Sequence, residues 1–148
     1  MSIDVTVDAT IARPPEDAFA RIADIEAWPS WLIASGITMV RRTTIGPVGE
    51  GEHFVVQQRA AGRTGTFDAV ARVVDPPTRF VVEGRDPDGV SIAIDATLAA
   101  ADEASALRWS IRIGLPFRYR IFESMARPQV DRAARIDIER LRQDLEPA

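Results

Sequence analysis

Over its last ~30 residues the chain changes hydrophobic period from two to about 3.6, and no other feature limits its fold as strongly. Phe122, Ala126, Val130, Ala134, Ile138, Leu141 and Leu145 follow one another at intervals of three or four. Arg132, Arg135, Glu139 and Arg142 fall largely off that row. This spacing predicts a long C-terminal helix with one apolar stripe, beginning at Tyr119. Pro128 stands inside it and is expected to kink or divide the helix, because proline lacks an N–H and crowds the preceding turn. Such a stripe must lie against a large apolar surface. The rest of the chain offers one candidate, a sheet.

Upstream, the pattern is that of strands. Ile3, Val5, Val7, Ala9 and Ile11 alternate with Asp4, Thr6, Asp8 and Thr10, which describes a half-buried strand. Further strands are predicted over 37–45, 52–60, 64–75, 78–85, 90–99 and 105–113. GPVGEG, AAGR, DPPT, DPDG and ADEA separate them, each rich in turn-forming residues. Loops this short join antiparallel neighbours, not parallel strands with helical crossovers. Between the first two strands, Pro14-Pro15 ends the strand and suits a first helical turn, with Glu16 and Asp17 where negative charge favours a helix start. Asp24 closes this helix, and a second short helix or turn is expected up to about Ala34. The fold class is thus α+β: a curved seven-stranded antiparallel sheet, two short helices and a long C-terminal helix.

Composition removes several functions. At 148 residues the chain fits one domain, 1–148, with a sizeable core. The net charge of −4 argues against non-specific nucleic-acid binding, so no nucleic-acid partner is expected. All 18 basic residues are arginine, which rules out Schiff-base chemistry on a lysine. Without cysteine there are no disulfides, thiolate nucleophiles or thiolate metal sites. His53 is the single histidine, so a multi-histidine metal site is excluded as well. No metal and no cofactor is expected. Residues 1–20 carry Asp4 and Asp8 and show no signal peptide, and no stretch approaches the ~20 apolar residues of a membrane helix. A cytoplasmic protein without an integral membrane segment is expected.

Three segments carry a family resemblance. They are VTVDATIARPPEDAFARIADIEAWPSW at the start, GPVGEG before the third strand and DPPTRF before the fifth. With the element order, they resemble the START-like superfamily, also called SRPBCC, and within it the bacterial polyketide cyclase/dehydrase-like group. The resemblance covers essentially the whole chain and implies a helix-grip fold. Members of the superfamily bind lipids, sterols, plant hormones or quinones, cyclise aromatic polyketides, or act as co-chaperones. The matching motifs look structural, so the resemblance carries over no catalytic residues.

A curved sheet around one helix leaves space that side chains do not fill, so a cavity is expected between them. Trp31, Met39, Phe54, Phe67, Ala71, Trp109, Tyr119, Phe122 and Met125 are the predicted ligand-binding residues, with Arg41 and Gln58 as polar groups. His53 is expected to face solvent if Phe54 and Val56 face inward. GPVGEG lacks the following helix that a dinucleotide loop needs, and Asp86 and Asp88 occupy a turn. Three functions follow from this reading. The first is binding of a hydrophobic or amphipathic small molecule. The second is a cyclase/dehydratase-type enzyme using the same cavity. The third is a protein-interaction module. The poverty of titratable groups on the inner faces favours the first.

Overall fold

The period-two pattern resolves into one buried and one exposed face most clearly in β1 and β7, while β4 and β5 bury consecutive residues over Ala69–Ala71 and Phe80–Val82. The computed structural model describes residues 2–60 and 62–146. Strand β1 spans Ser2–Ile11, followed by helix α1 (Pro15–Ala23), a 3-10 turn (Ile25–Ala27) and the short helix α2 (Trp28–Trp31). Then come β2 (Ile37–Arg41), β3 (His53–Ala60), β4 (Arg63–Asp75), β5 (Arg79–Arg85), β6 (Ser91–Ala101) and β7 (Ala104–Gly114). A 3-10 segment, Phe117–Phe122, leads into helix α3 (Glu123–Leu145). The sheet is antiparallel with order β1-β7-β6-β5-β4-β3-β2. Six neighbouring strands thus follow chain order, while β1 crosses to the far edge and pairs with β7, Ser2 opposite Gly114 and Ile11 opposite Ser105. On the outer face of that pair, Arg112 and Arg108 meet Asp4 and Asp8 at 2.7 and 2.9 Å.

The inner face carries the core. Trp109, Leu107, Ala96 and Phe80 are 0–2% exposed. α1 and α2 close one end through three edge-to-face aromatic pairs: Phe19 on Phe80, Trp28 on Phe54 and Trp31 on Trp109. Pairs of this geometry add ~0.5–1.5 kcal/mol beyond the area they bury. Trp28 also donates its Nε1–H to the Ile22 carbonyl at 2.9 Å, which joins α2 to α1.

Two expectations are corrected. The strand predicted over 37–45 ends at Arg41. Arg42 turns inward instead, donating to Glu52 through Nε and Nη2, both at 2.8 Å, and to the Gly46 carbonyl at 2.6 Å. The long helix is neither split at Pro128 nor begun at Tyr119, since α3 runs unbroken from Glu123 to Leu145. Pro128 crowds the carbonyl of Ser124, in the first turn, so there is almost no preceding helix to bend. Tyr119 lies in the 3-10 segment. Among the described residues, no helix is long and apolar enough to cross a membrane.

The stripe on α3 docks unevenly. Ala134, Ile138 and Leu141 are 0–2% exposed, Ala126 and Val130 are half-buried, and Phe122 is 51% exposed. The C-terminal half therefore lies closely on β1 and α2, while the N-terminal half stands further off the inner face.

Candidate functional site

Where α3 lifts away, a cavity of about 260 Å³ opens between helix and sheet. Ile94, Trp109 and Ile111 form its floor, with Leu32 and Ile37 at one side. Ala126, Val130 and Ala133 of α3 form its roof. Small side chains there leave the space that larger ones would fill. Its polar groups are Ser35, Gln58, Gln129 and Arg59. Ile37, Gln58, Ile92 and Ile94 also border a void of about 20 Å³ beneath it, whose far side is Trp28, Phe67, Ala69 and Val82.

Hydrogen bonds fix one rim. Asp137 of α3 is fully buried and accepts from the backbone N–H groups of Ala34 (2.8 Å) and Ser35 (2.9 Å). Gln58 donates to the Ser35 carbonyl at 2.8 Å. The loop after α2 is thus tied to α3 on one side and to β3 on the other. Gly36 follows at φ +82°, and a Cβ there would lie 2.1 Å from the Arg59 carbonyl oxygen, so this crossing admits only glycine. Burial pushes the Asp137 carboxyl above its usual range, opposed by the hydrogen bonds from Ser35 and Ala34. An Asp137→Asn variant replaces one acceptor oxygen by an N–H donor facing another donor. Loss of that bond should cost ~1–3 kcal/mol, read as a lower midpoint in urea unfolding with unchanged slope. An unchanged midpoint would remove this clamp from the account.

The predicted site residues divide by place. Trp109 and Gln58 border the cavity, and Phe67 borders the void beneath it. Trp31 is fully buried edge-on against Trp109, so it packs beside the floor without lining the cavity. Phe54 and Ala71 are buried in the close-packed core and line neither space. Met39 and Tyr119 are half-buried away from the cavity. Arg41, Phe122 and Met125 point to solvent, because β2 ends at Arg41 and the helix start stands clear of the sheet. His53 is exposed on the outer face, its Nδ1 3.8 Å from Asp68 Oδ1. Asp86 accepts from the backbone N–H groups of Asp88 and Val90, so this pair shapes its own turn. Just after the GPVGEG loop, Glu52 accepts from the Gly49 N–H at 3.2 Å, which places a carboxylate where a phosphate loop needs free donors.

Asp137, Ala126, Gln129 and Ala133 were not among the predicted residues. Asp137 carried a readable signal, since it lies three residues after Ala134 and four before Leu141, on the apolar stripe itself. Among the described residues, no group of His, Asp and Glu is arranged to hold a metal ion.

The family model described as polyketide cyclase / dehydrase and lipid transport matches residues 2–146. The chain belongs to this family. Solved structures show the same fold. The Zhui aromatase/cyclase from Streptomyces sp. R1128 superimposes with a TM-score of 0.77 at 14% identity, over 98% of this chain and 94% of that one. A START superfamily protein from Mycobacterium smegmatis gives 0.72 at 12% identity, over 96% of each chain. The di-domain ARO/CYC StfQ of the steffimycin pathway gives 0.76 at 11% identity, over 98% of this chain and 51% of that one. Among curated proteins, none matches in sequence. Within the polyketide cyclase / dehydrase and lipid transport family, the helix-grip arrangement of seven strands and a long C-terminal helix is therefore this chain's fold.

Proposed function

We propose that this protein binds a compact hydrophobic or amphipathic small molecule between α3 and the sheet. The observation that carries the reading is the cavity itself: apolar floor and roof, with Gln58, Gln129 and Ser35 to orient one polar end. Its volume of about 260 Å³ lies just under the ~300–1,000 Å³ of drug-sized sites, which favours a compact ligand over a long acyl chain. Affinity would come mainly from apolar burial at ~25 cal/mol per Å². A cyclase/dehydratase-type enzyme using the same cavity is the second reading, supported by the fold shared with an aromatase/cyclase. Against it, the charged side chain on the described lining is Arg59, so no carboxylate or imidazole stands ready to move a proton.

The test is a fluorescence titration with anilinonaphthalene sulfonate, a compact amphipathic probe with an aromatic body and one anionic end. Binding should perturb tryptophan emission, since Trp109 lies on the floor. Ala133→Phe fills the space from the roof and should weaken binding at least tenfold while the fold survives, at an overpacking cost of ~1–3 kcal/mol. Equal affinity in parent and variant would place the probe elsewhere and defeat the proposal. Ala71→Phe does not serve this purpose, because Ala71 is fully buried away from the cavity.

A further inference from the structure

The chain's most unusual surface lies just before the cavity roof. Phe117, Ile121, Phe122 and Met125 are 84%, 77%, 51% and 68% exposed, four of the seven large apolar side chains that stand in solvent among the described residues. Clustering of this kind within nine residues is not the scattered exposure of an ordinary surface. The four side chains stand out from a 3-10 turn and the first turn of α3, and none borders the cavity. A protruding apolar edge of this sort suits a soft phase that it can enter.

Charge selects the phase. Although the chain carries a net −4, residues 117–127 hold Arg118, Arg120 and Arg127 against one acid, Glu123, which is buried. Arg118 donates to the Asp88 carbonyl at 2.5 Å, lies 3.9 Å from the Asp88 carboxylate and stacks over Tyr119, which steadies the segment. Arg120 lies 5.9 Å from the Phe117 ring centre, and Arg127 donates to the Ser2 carbonyl at 3.4 Å. Neither Arg120 nor Arg127 has a carboxylate partner among the described residues. We propose that this segment docks the protein on an anionic lipid surface, with Phe117 and Ile121 entering the headgroup boundary and Arg120 and Arg127 meeting lipid phosphates. A second copy fits less well, because a twofold contact through this patch would set arginines against arginines. The roof residues Ala126 and Val130 follow directly, so docking would bring the cavity to the lipid boundary. The proposal holds whatever occupies that cavity.

Sedimentation of the full chain with phosphatidylcholine vesicles, with and without phosphatidylglycerol, tests it. The parent should pellet with the anionic vesicles and lose this at high salt. Arg120→Glu with Arg127→Glu should lower the partition coefficient about 30-fold or more, at ~1 kcal/mol per basic residue. Phe117→Ser with Ile121→Ser should abolish pelleting, and neither double variant should change the melting curve, since these side chains are exposed. Equal pelleting of parent and variants overturns the proposal. So does a parent that ignores anionic vesicles, and a concentration-dependent dimer that Phe117→Ser with Ile121→Ser dissociates would then assign the patch to a second copy.

Discussion

A Leu141→Asp variant is expected not to fold. Leu141 is fully buried where α3 lies closest to the sheet, between Ile138 and the end of the helix. Truncating a buried leucine costs ~2–5 kcal/mol, and an unpaired carboxylate in that place adds several more. The sum exceeds much of the ~5–15 kcal/mol that holds a domain together. The measurement is the circular-dichroism melting curve, or recovery in the soluble fraction. A soluble variant with the parent's melting curve would mean that the helix is not docked as described. Met125→Asp is the matched control on the same helix, since Met125 is 68% exposed and the change should stay within ~0.5 kcal/mol.

A Glu52→Ala variant is expected to lose ~3–5 kcal/mol, because it leaves Arg42 buried and without its main partner. The side chains of the two residues are 6% and 9% exposed and meet through two parallel bonds of 2.8 Å. They hold the 46–51 loop, Arg42 through the Gly46 carbonyl and Glu52 through the Gly49 N–H. The hydrogen bond from Arg42 holds the Glu52 carboxyl below its usual range, against the opposing effect of burial. A carboxyl lowered on folding contributes stability that is present above its unfolded value and lost as pH falls through its folded value. The parent should therefore weaken in acid, and the variant's melting temperature should change less over that window. Asp137 has the opposite sign: its raised carboxyl contributes most below the ordinary range and less as pH rises. Equal acid sensitivity in parent and Glu52→Ala would show that the pair is solvated.

The identity of the strands and of the long helix was legible because period and turn chemistry are local, whereas the pairing of β1 with β7 across about 100 residues was not. The alternation of Leu107, Trp109, Ile111 and Ile113 places these residues inward without knowledge of any neighbour. Less could be read where a side chain answers to a distant partner. Arg42 looks like a strand residue until Glu52 is brought beside it. Phe122 and Met125 follow helical spacing, yet spacing alone cannot tell that α3 lifts off the sheet at that end. Likewise, Ala71 and Ala96 share inward parity with Trp109, but parity does not say which small residue faces a void and which is covered. The cavity depends on the tilt of one helix, a property of the assembled sheet.

The pairing of β1 with β7 also sets an order of events during synthesis. Strands β2 to β7 can add one hairpin at a time as they emerge, since each pairs with its neighbour in the chain. β1 must wait for a partner about 100 residues later, Ser2 for Gly114 and Ile11 for Ser105. At translation speeds of ~5–20 residues per second, that is a wait of roughly 5–20 seconds with Ile3, Val5 and Val7 uncovered. α3, which lies on β1, is made later still. For that interval the nascent chain carries a complete strand whose apolar face, Ile3, Val5, Val7 and Ile11, has no partner to cover it.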